Sequence, residues 1–284
     1  YCRKLLKRAR QDRLEDGGMS FSVAVASGKG GVGKTSIAIN VALSLAKMGY
    51  RTCLLDTDFG VANAHILLGI DPKQNMSDML QNQASLPDLC TPAPFGLKFI
   101  SGGSGMVDIL NLDSAARFQI VRSTEALAQT TDILIVDVPA GASDATLNFV
   151  SAADRPLIVL VGEPTSFMDA YSLIKAAFLE ADVKHFYVAV NMSNSESQAQ
   201  DHFSRFRDIT NRFLDVQLTY VGHVPYSNAL RKSVIERKPI MTQPEQSRET
   251  TAFQKISKGL LTGPVNETNG IRYLGIPNVH ETAS

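Results

Sequence analysis

The sequence predicts a three-layer α/β fold: a mostly parallel, twisted sheet of about seven strands with helices on both faces. Three observations carry that reading. Short apolar runs alternate with longer stretches at helical spacing. The runs are apolar throughout, as strands buried on both faces must be. A glycine-rich segment separates the first run from the first helix.

The strands expected in order are FSVAVA (21–26), TCLLD (52–56), LKFIS (97–101), ILIVD (133–137), LIVLVG (157–162), FYVAV (186–190) and LTYVG (218–222). Between them the spacing predicts helices over 34–48, 112–129, 166–180 and 196–213. Gly49 stands where a glycine closes the first helix. These elements fit one continuous domain over 21–261, flanked by a basic arm (1–20) and a tail (262–284). The tail carries Gly, Pro and Asn at intervals that break a helix, so it is expected to be extended or disordered over the surface.

Composition excludes several classes. The 28 Lys and Arg balance 28 Asp and Glu, so the chain lacks the basic excess of a protein that holds nucleic acid by neutralising phosphates. Cys2, Cys53 and Cys90 are too few and too scattered for a disulfide framework or for zinc held by CxxC pairs. No apolar stretch reaches the roughly 20 residues needed to span a bilayer, and the first residues lack the apolar core of a secretory signal. A cytoplasmic protein is expected. The arm sets Arg3, Lys4, Lys7, Arg8, Arg10 and Arg13 around Leu5, Leu6, Ala9 and Leu14; it reads as a solvated arm or as a docking helix for a partner or an acidic membrane surface.

The strongest chemical signal is Gly28-Lys29-Gly30-Gly31-Val32-Gly33-Lys34-Thr35, which fits G-x-x-x-x-G-K-[ST] between a strand and a helix and is followed by Ser36. Glycines let successive backbone N–H groups turn inward onto phosphate oxygens, and the helix that follows presents its positive end to the same anion. Lys34 suits the β- and γ-phosphates, and the Thr35 hydroxyl suits Mg²⁺. Carboxylates are then needed around the metal and the attacking water. Asp56, Asp58 and Asp137 stand where two strands end, at the carboxyl edge of a parallel sheet.

Lys29 is not required by that pattern. With it, the loop resembles the deviant Walker A motif, K-G-G-x-G-K-[ST], of the MinD/ParA family of P-loop ATPases. D-x-D-x-G-x-x-N is matched by Asp56, Asp58, Gly60 and Asn63, and D-x-P-A-G by Asp137, Pro139, Ala140 and Gly141. The resemblance implies a three-layer P-loop NTPase fold and Mg²⁺-dependent ATP hydrolysis. It also implies that Lys29 reaches the nucleotide of a second subunit, so that ATP drives homodimerisation. Asp58 would position the water, Asp56 and Asp137 would hold Mg²⁺ through water, and the segments around Asn63 and Gly141 would switch between nucleotide states. Asn191 after FYVAV, and Pro225 and Tyr226 after LTYVGHV, resemble the adenine pocket.

Wording outside the loop (DTDFGVANAHILLGI, SGGSGM and EPTSFMDAYSLIKA) resembles the MinD-like regulators of flagellum number and placement, the FlhG or FleN branch. That branch implies action on an FlhF-like GTPase, on basal-body proteins and on a transcription activator, at the cell pole or the inner face of the membrane. The branch often opens with D-Q-A-x-x-L-R, whereas this chain has Arg10-Gln11-Asp12-Arg13-Leu14. The nearest counterpart of a membrane-gripping helix is TTAFQKISKGLL, with Phe253, Ile256, Leu260 and Leu261 on one side and Lys255 and Lys258 on the other. It reads first as the last core helix. The competing functions on this fold are DNA partition or cell-division positioning, an iron–sulfur scaffold and a small-molecule kinase. Direct DNA binding is disfavoured by the charge balance, and the scaffold by the absence of CxxC.

Overall fold

The computed structural model describes residues 20–59, 63–103, 113–266 and 270–275. The basic arm before Ser20, Gly60 of the expected switch, and Ser104 and Met106 lie outside them. The sheet runs β3-β4-β2-β5-β1-β6-β7-β8. Its long strands are β1 (Phe21–Ala26), β2 (Thr52–Asp56), β4 (Lys98–Ile100), β5 (Ile133–Asp137), β6 (Leu157–Val161), β7 (His185–Ser193) and β8 (Gln217–Pro225). All of these pair in parallel. The eighth strand, β3 (Thr91–Pro92), pairs antiparallel with β4. It was not expected, because two residues ending in a proline carry no periodicity; proline is tolerated there since the strand lies at an edge.

Helices cover both faces. They are α1 (Lys34–Lys47), α2 (Ala64–Leu68), α3 (Met76–Leu80), α4 (Ser114–Ser123), α5 (Asp144–Ser151), α6 (Pro164–Ala181), α7 (Glu196–Asn211), α8 (Asn228–Ile235) and α9 (Arg248–Thr262). The helix expected over 112–129 ends at Ser123 and continues as a 3₁₀ turn over Thr124–Thr130. Side-chain alternation divides the core. Ala24, Leu55, Val136, Ile158 and Val188 face the layer containing α4 to α7, whereas Val23, Leu54, Ile135, Val159 and Tyr187 face α1 and α9. In α9, Phe253, Ile256 and Leu260 are fully buried in that second layer. The apolar face of α9 is therefore core and is not available to a membrane.

The tail departs from the expectation of a surface segment. Beyond Thr262, which ends α9, its described residues bear no helix, but they form a strap under the amino ends of β1, β6 and β7. Asn266 donates to the His185 carbonyl and accepts from the backbone N–H groups of Lys184 and His185. Arg272 pairs with the Asp154 carboxylate, which also accepts from the backbone and hydroxyl of Ser22. Tyr273 is 1% exposed, and its N–H donates to the Ala152 carbonyl. The physical reason is that the amino ends of parallel strands leave polar groups that need partners, and the tail supplies them.

Candidate functional site

The loop between β1 and α1 lies at the carboxyl edge of the sheet, with β1 flanked by β5 and β6. Gly31 and Gly33 take left-handed φ values of 80° and 84°. At Gly33 the requirement is double, because the Asn191 amide fills the space that a Cβ would take. Gly28 packs so closely on the Asp169 carbonyl of α6 that a Cβ there would overlap it. Gly30 and Gly31 are exposed, Val32 is buried, and Thr35 and Ser36 are half-buried at the start of α1.

Both lysines of the loop are engaged. Lys34 Nζ lies 2.5 Å from Asp137 Oδ1, and both side chains are buried. Lys29 Nζ lies 2.6 Å from Glu163 Oε2 and donates to Thr165 Oγ1 at 3.2 Å. Sequence reasoning singled out both lysines. It assigned no role to Glu163 or Thr165, because nothing in EPTS says that the first turn of α6 lies against the loop.

The three aspartates converge as expected. Asp56 and Asp137 are register partners at the ends of β2 and β5. Asp56 Oδ1 accepts from the Asp58 backbone N–H at 3.0 Å, which turns the chain after β2 and leaves Asp58 half-buried near Asp56 and Asp137. Thr57 donates both its N–H and its hydroxyl to the Asp137 carbonyl, joining the two strand ends. Burial, reinforced by the Asp137 carboxylate, pushes Asp56 up to about 8. Burial also raises Asp137, against the pull of Lys34 and the Thr35 hydroxyl. Asp137 Oδ2 is buried without a hydrogen-bond partner. Two crowded carboxylates, an orphaned carboxylate oxygen and a nearby hydroxyl form a donor set that suits a hard divalent cation.

The expected switch residues divide. Gly141, at φ 97°, donates its N–H to the Ser27 carbonyl at 2.9 Å and ties the segment after β5 to the loop. The Pro139 carbonyl accepts from the Thr146 hydroxyl of α5. Asn63 opens α2 with its side chain exposed and makes no cap of that helix.

Asn191, Pro225 and Tyr226 do come together. They line a mostly apolar cavity of about 260 Å³ that runs from Gly33 to Phe253 and includes Met192 and Leu230. Asn191 is 7% exposed, and its Nδ2 donates to the Val32 carbonyl at 2.7 Å. Its position is thus set by the phosphate loop itself. Met192 and Leu230 were not expected, since an apolar residue after a strand or on a short helix is indistinguishable from core.

A glycine-rich loop leading from a central strand into a helix, with buried Lys34 and strand-end aspartates around it, defines a P-loop nucleoside triphosphatase. The chain belongs to the ParA/MinD family of these ATPases: the ParA family, described as NUBPL iron-transfer P-loop NTPase, matches residues 18–261. The chain is 35% identical over 243 residues to the antiactivator FleN of Pseudomonas aeruginosa, covering 86% of this chain and 87% of that protein. It is 30% identical over 226 residues to the flagellum site-determining protein YlxH of Helicobacter pylori, covering 79% and 76%. Its fold is that of the MinD cell division protein of Aquifex aeolicus, with a TM-score of 0.71, 23% identity and coverage of 87% and 99%. Among the described residues, no helix is long and apolar enough to cross a membrane.

Proposed function

We propose that this protein is a Mg²⁺-dependent ATPase that dimerises when it holds ATP and, in that state, regulates the number and placement of flagella through partner proteins. The observation that carries the switch is the pair of lysines in one loop, of which only Lys34 is buried at the strand-end carboxylates. Lys34 would contact the β- and γ-phosphates, and the N–H groups of 28–35 would cradle them. The cavity beside Asn191, Pro225 and Tyr226 would take the base. Thr35, with Asp56 and Asp137 through water, would hold Mg²⁺, which supplies charge neutralisation at the phosphates. Asp58, half-buried near Asp56 and Asp137, would orient the attacking water. The segments bearing Asn63 and Gly141 would report the nucleotide state.

The flagellar assignment is supported by similarity to two relatives, one named an antiactivator, FleN, and the other a flagellum site-determining protein, YlxH. Its partners would be an FlhF-like GTPase, basal-body proteins or a transcription activator, at the pole or the inner face of the membrane. The second reading is spatial positioning in cell division or DNA partition, favoured by the likeness to MinD structures. The balanced charge argues against direct DNA binding.

Asp58→Ala should trap the ATP dimer. Sedimentation of that variant with and without Mg-ATP is expected to show monomer converting to dimer, and persistence of the monomer would refute the switch. Affinity capture from cells with the same variant should bring down flagellar or polar proteins. A catch of divisome or partition proteins would favour the second reading.

A further inference from the structure

Lys29 is assigned above to the nucleotide of a second copy, yet in the single chain it is bound elsewhere. Its amine lies 2.6 Å from the Glu163 carboxylate and 3.2 Å from the Thr165 hydroxyl. Both partners stand at the start of α6, where Glu163 occupies the residue before the helix and Thr165 its second position. The Glu163 side chain does not cap its own helix; its carboxylate is turned to Lys29 instead. The loop is held at this place by backbone packing, since Gly28 sits directly on the Asp169 carbonyl. With the loop seated there, Lys29 leaves most simply by rotating its side chain away from Glu163.

We infer that Glu163 and Thr165 form an in-chain latch on Lys29, which the phosphates of a nucleotide held by a second copy must displace before two chains can pair. This rests on the proposed role of Lys29. The latch suits a reversible device for two physical reasons. The pair is exposed, with side-chain exposures of 30% and 63%, so water screens it and its hold is weak. Once Lys29 has gone, Glu163 remains a carboxylate at the amino end of an 18-residue helix, where the helix field favours an anion. Release thus leaves no buried charge without compensation, in contrast to Lys34 and Asp137. The expected strength follows: an exposed pair can shift an equilibrium only a few-fold, so the latch sets a threshold and does not lock the chain. Glu163 and Thr165 are positioning residues for Lys29 and take no part in hydrolysis.

The test has two arms. The first is acylation of the nucleotide-free full chain by an N-hydroxysuccinimide ester, read lysine by lysine by peptide mass spectrometry. Glu163→Gln and Thr165→Val should each raise the labelling rate at Lys29, roughly three-fold for Glu163→Gln. The rate at exposed Lys232 should not change, and a merely structural loss would raise several sites together. The second arm is the Mg-ATP concentration at half-dimerisation in the Asp58→Ala background. Glu163→Gln should lower it by about the same factor, and only while Lys29 is present: Glu163→Gln/Lys29→Ala should pair no better than Lys29→Ala alone. Unchanged labelling in both variants would overturn the latch whatever the dimer does. Faster labelling with an unchanged or higher ATP requirement would show that the contact does not oppose pairing, and would overturn the inference as well. Failure of the parent chain to dimerise under any Mg-ATP concentration would instead refute the proposed function, and the labelling arm would still decide whether Glu163 holds Lys29.

Discussion

Asp56 and Asp137 stand opposite each other at the ends of two parallel strands, both buried, with Lys34 bound to only one of them. Asp56 is consequently a carboxyl that titrates near 8 rather than 3.8 in the nucleotide-free protein. A folded-state pKa above the unfolded one means that ionisation opposes folding. Wild type and Asp56→Asn should be equally stable below pH 4, and the variant should become the more stable as pH rises toward 8. The gap at pH 8 should be on the order of 5 kcal/mol. Urea denaturation without nucleotide or Mg²⁺ across this range checks it; a constant gap would refute the assignment.

Lys34 has two duties that separate experimentally. Lys34→Ala should abolish nucleotide binding in calorimetry. It should also destabilise the nucleotide-free chain by about 3 kcal/mol, because Asp137 is left buried without its cation. Lys34→Met/Asp137→Asn should recover most of the stability and none of the binding.

Asn191 joins the cavity to the loop. Asn191→Ala removes the donor to the buried Val32 carbonyl, so stability should fall by about 1 to 2 kcal/mol and nucleotide affinity roughly ten-fold. Equilibrium denaturation and a fluorescent-nucleotide titration measure the two effects independently.

Acid should weaken the docking of α9. Burial raises the Glu249 pKa, but hydrogen bonds involving Ser227, Ser247 and Arg248 outweigh it and bring Glu249 from 4.5 down to about 2. A depressed carboxyl contributes stability above its unfolded pKa and loses it as pH falls from about 4.5 through 2. Glu249→Gln should cost up to about 3 kcal/mol at pH 7 and should flatten the acid limb of the stability profile.

The strap makes a prediction of opposite sign at one residue. The Tyr273 hydroxyl is buried without a hydrogen-bond partner. Tyr273→Phe should stabilise the protein by about 1 kcal/mol, whereas Tyr273→Ala should cost roughly 3 to 5 kcal/mol. Neither should alter nucleotide affinity, since the strap lies at the opposite edge of the sheet from the loop. Differential scanning calorimetry reads both.

Long-range order was legible wherever a local pattern repeats. The seven main strands are apolar runs, and the loop is a fixed spacing of glycines and lysines. The short helices α2, α3, α5 and α8 were not legible, because five to eight residues present barely two turns of periodicity. Among site residues, Asp56, Asp58 and Asp137 were readable because each follows an apolar strand. Glu163 was not, since its role depends on a contact with Lys29 across 134 positions. Asn266, Arg272 and Tyr273 look like tail composition until the amino ends of β1, β6 and β7 are in view.

The position of β1 also constrains the order of assembly. β1 lies between β5 and β6, so Phe21 lacks its β5 partner until Ile133 has been made, and Val25 waits for Leu157 on its other side. On a translating ribosome the phosphate loop would therefore emerge long before the neighbours that shape it. Such distant pairing slows folding. A nascent chain truncated before residue 133 should accordingly retain no nucleotide, even though it already carries every glycine and both lysines of the loop.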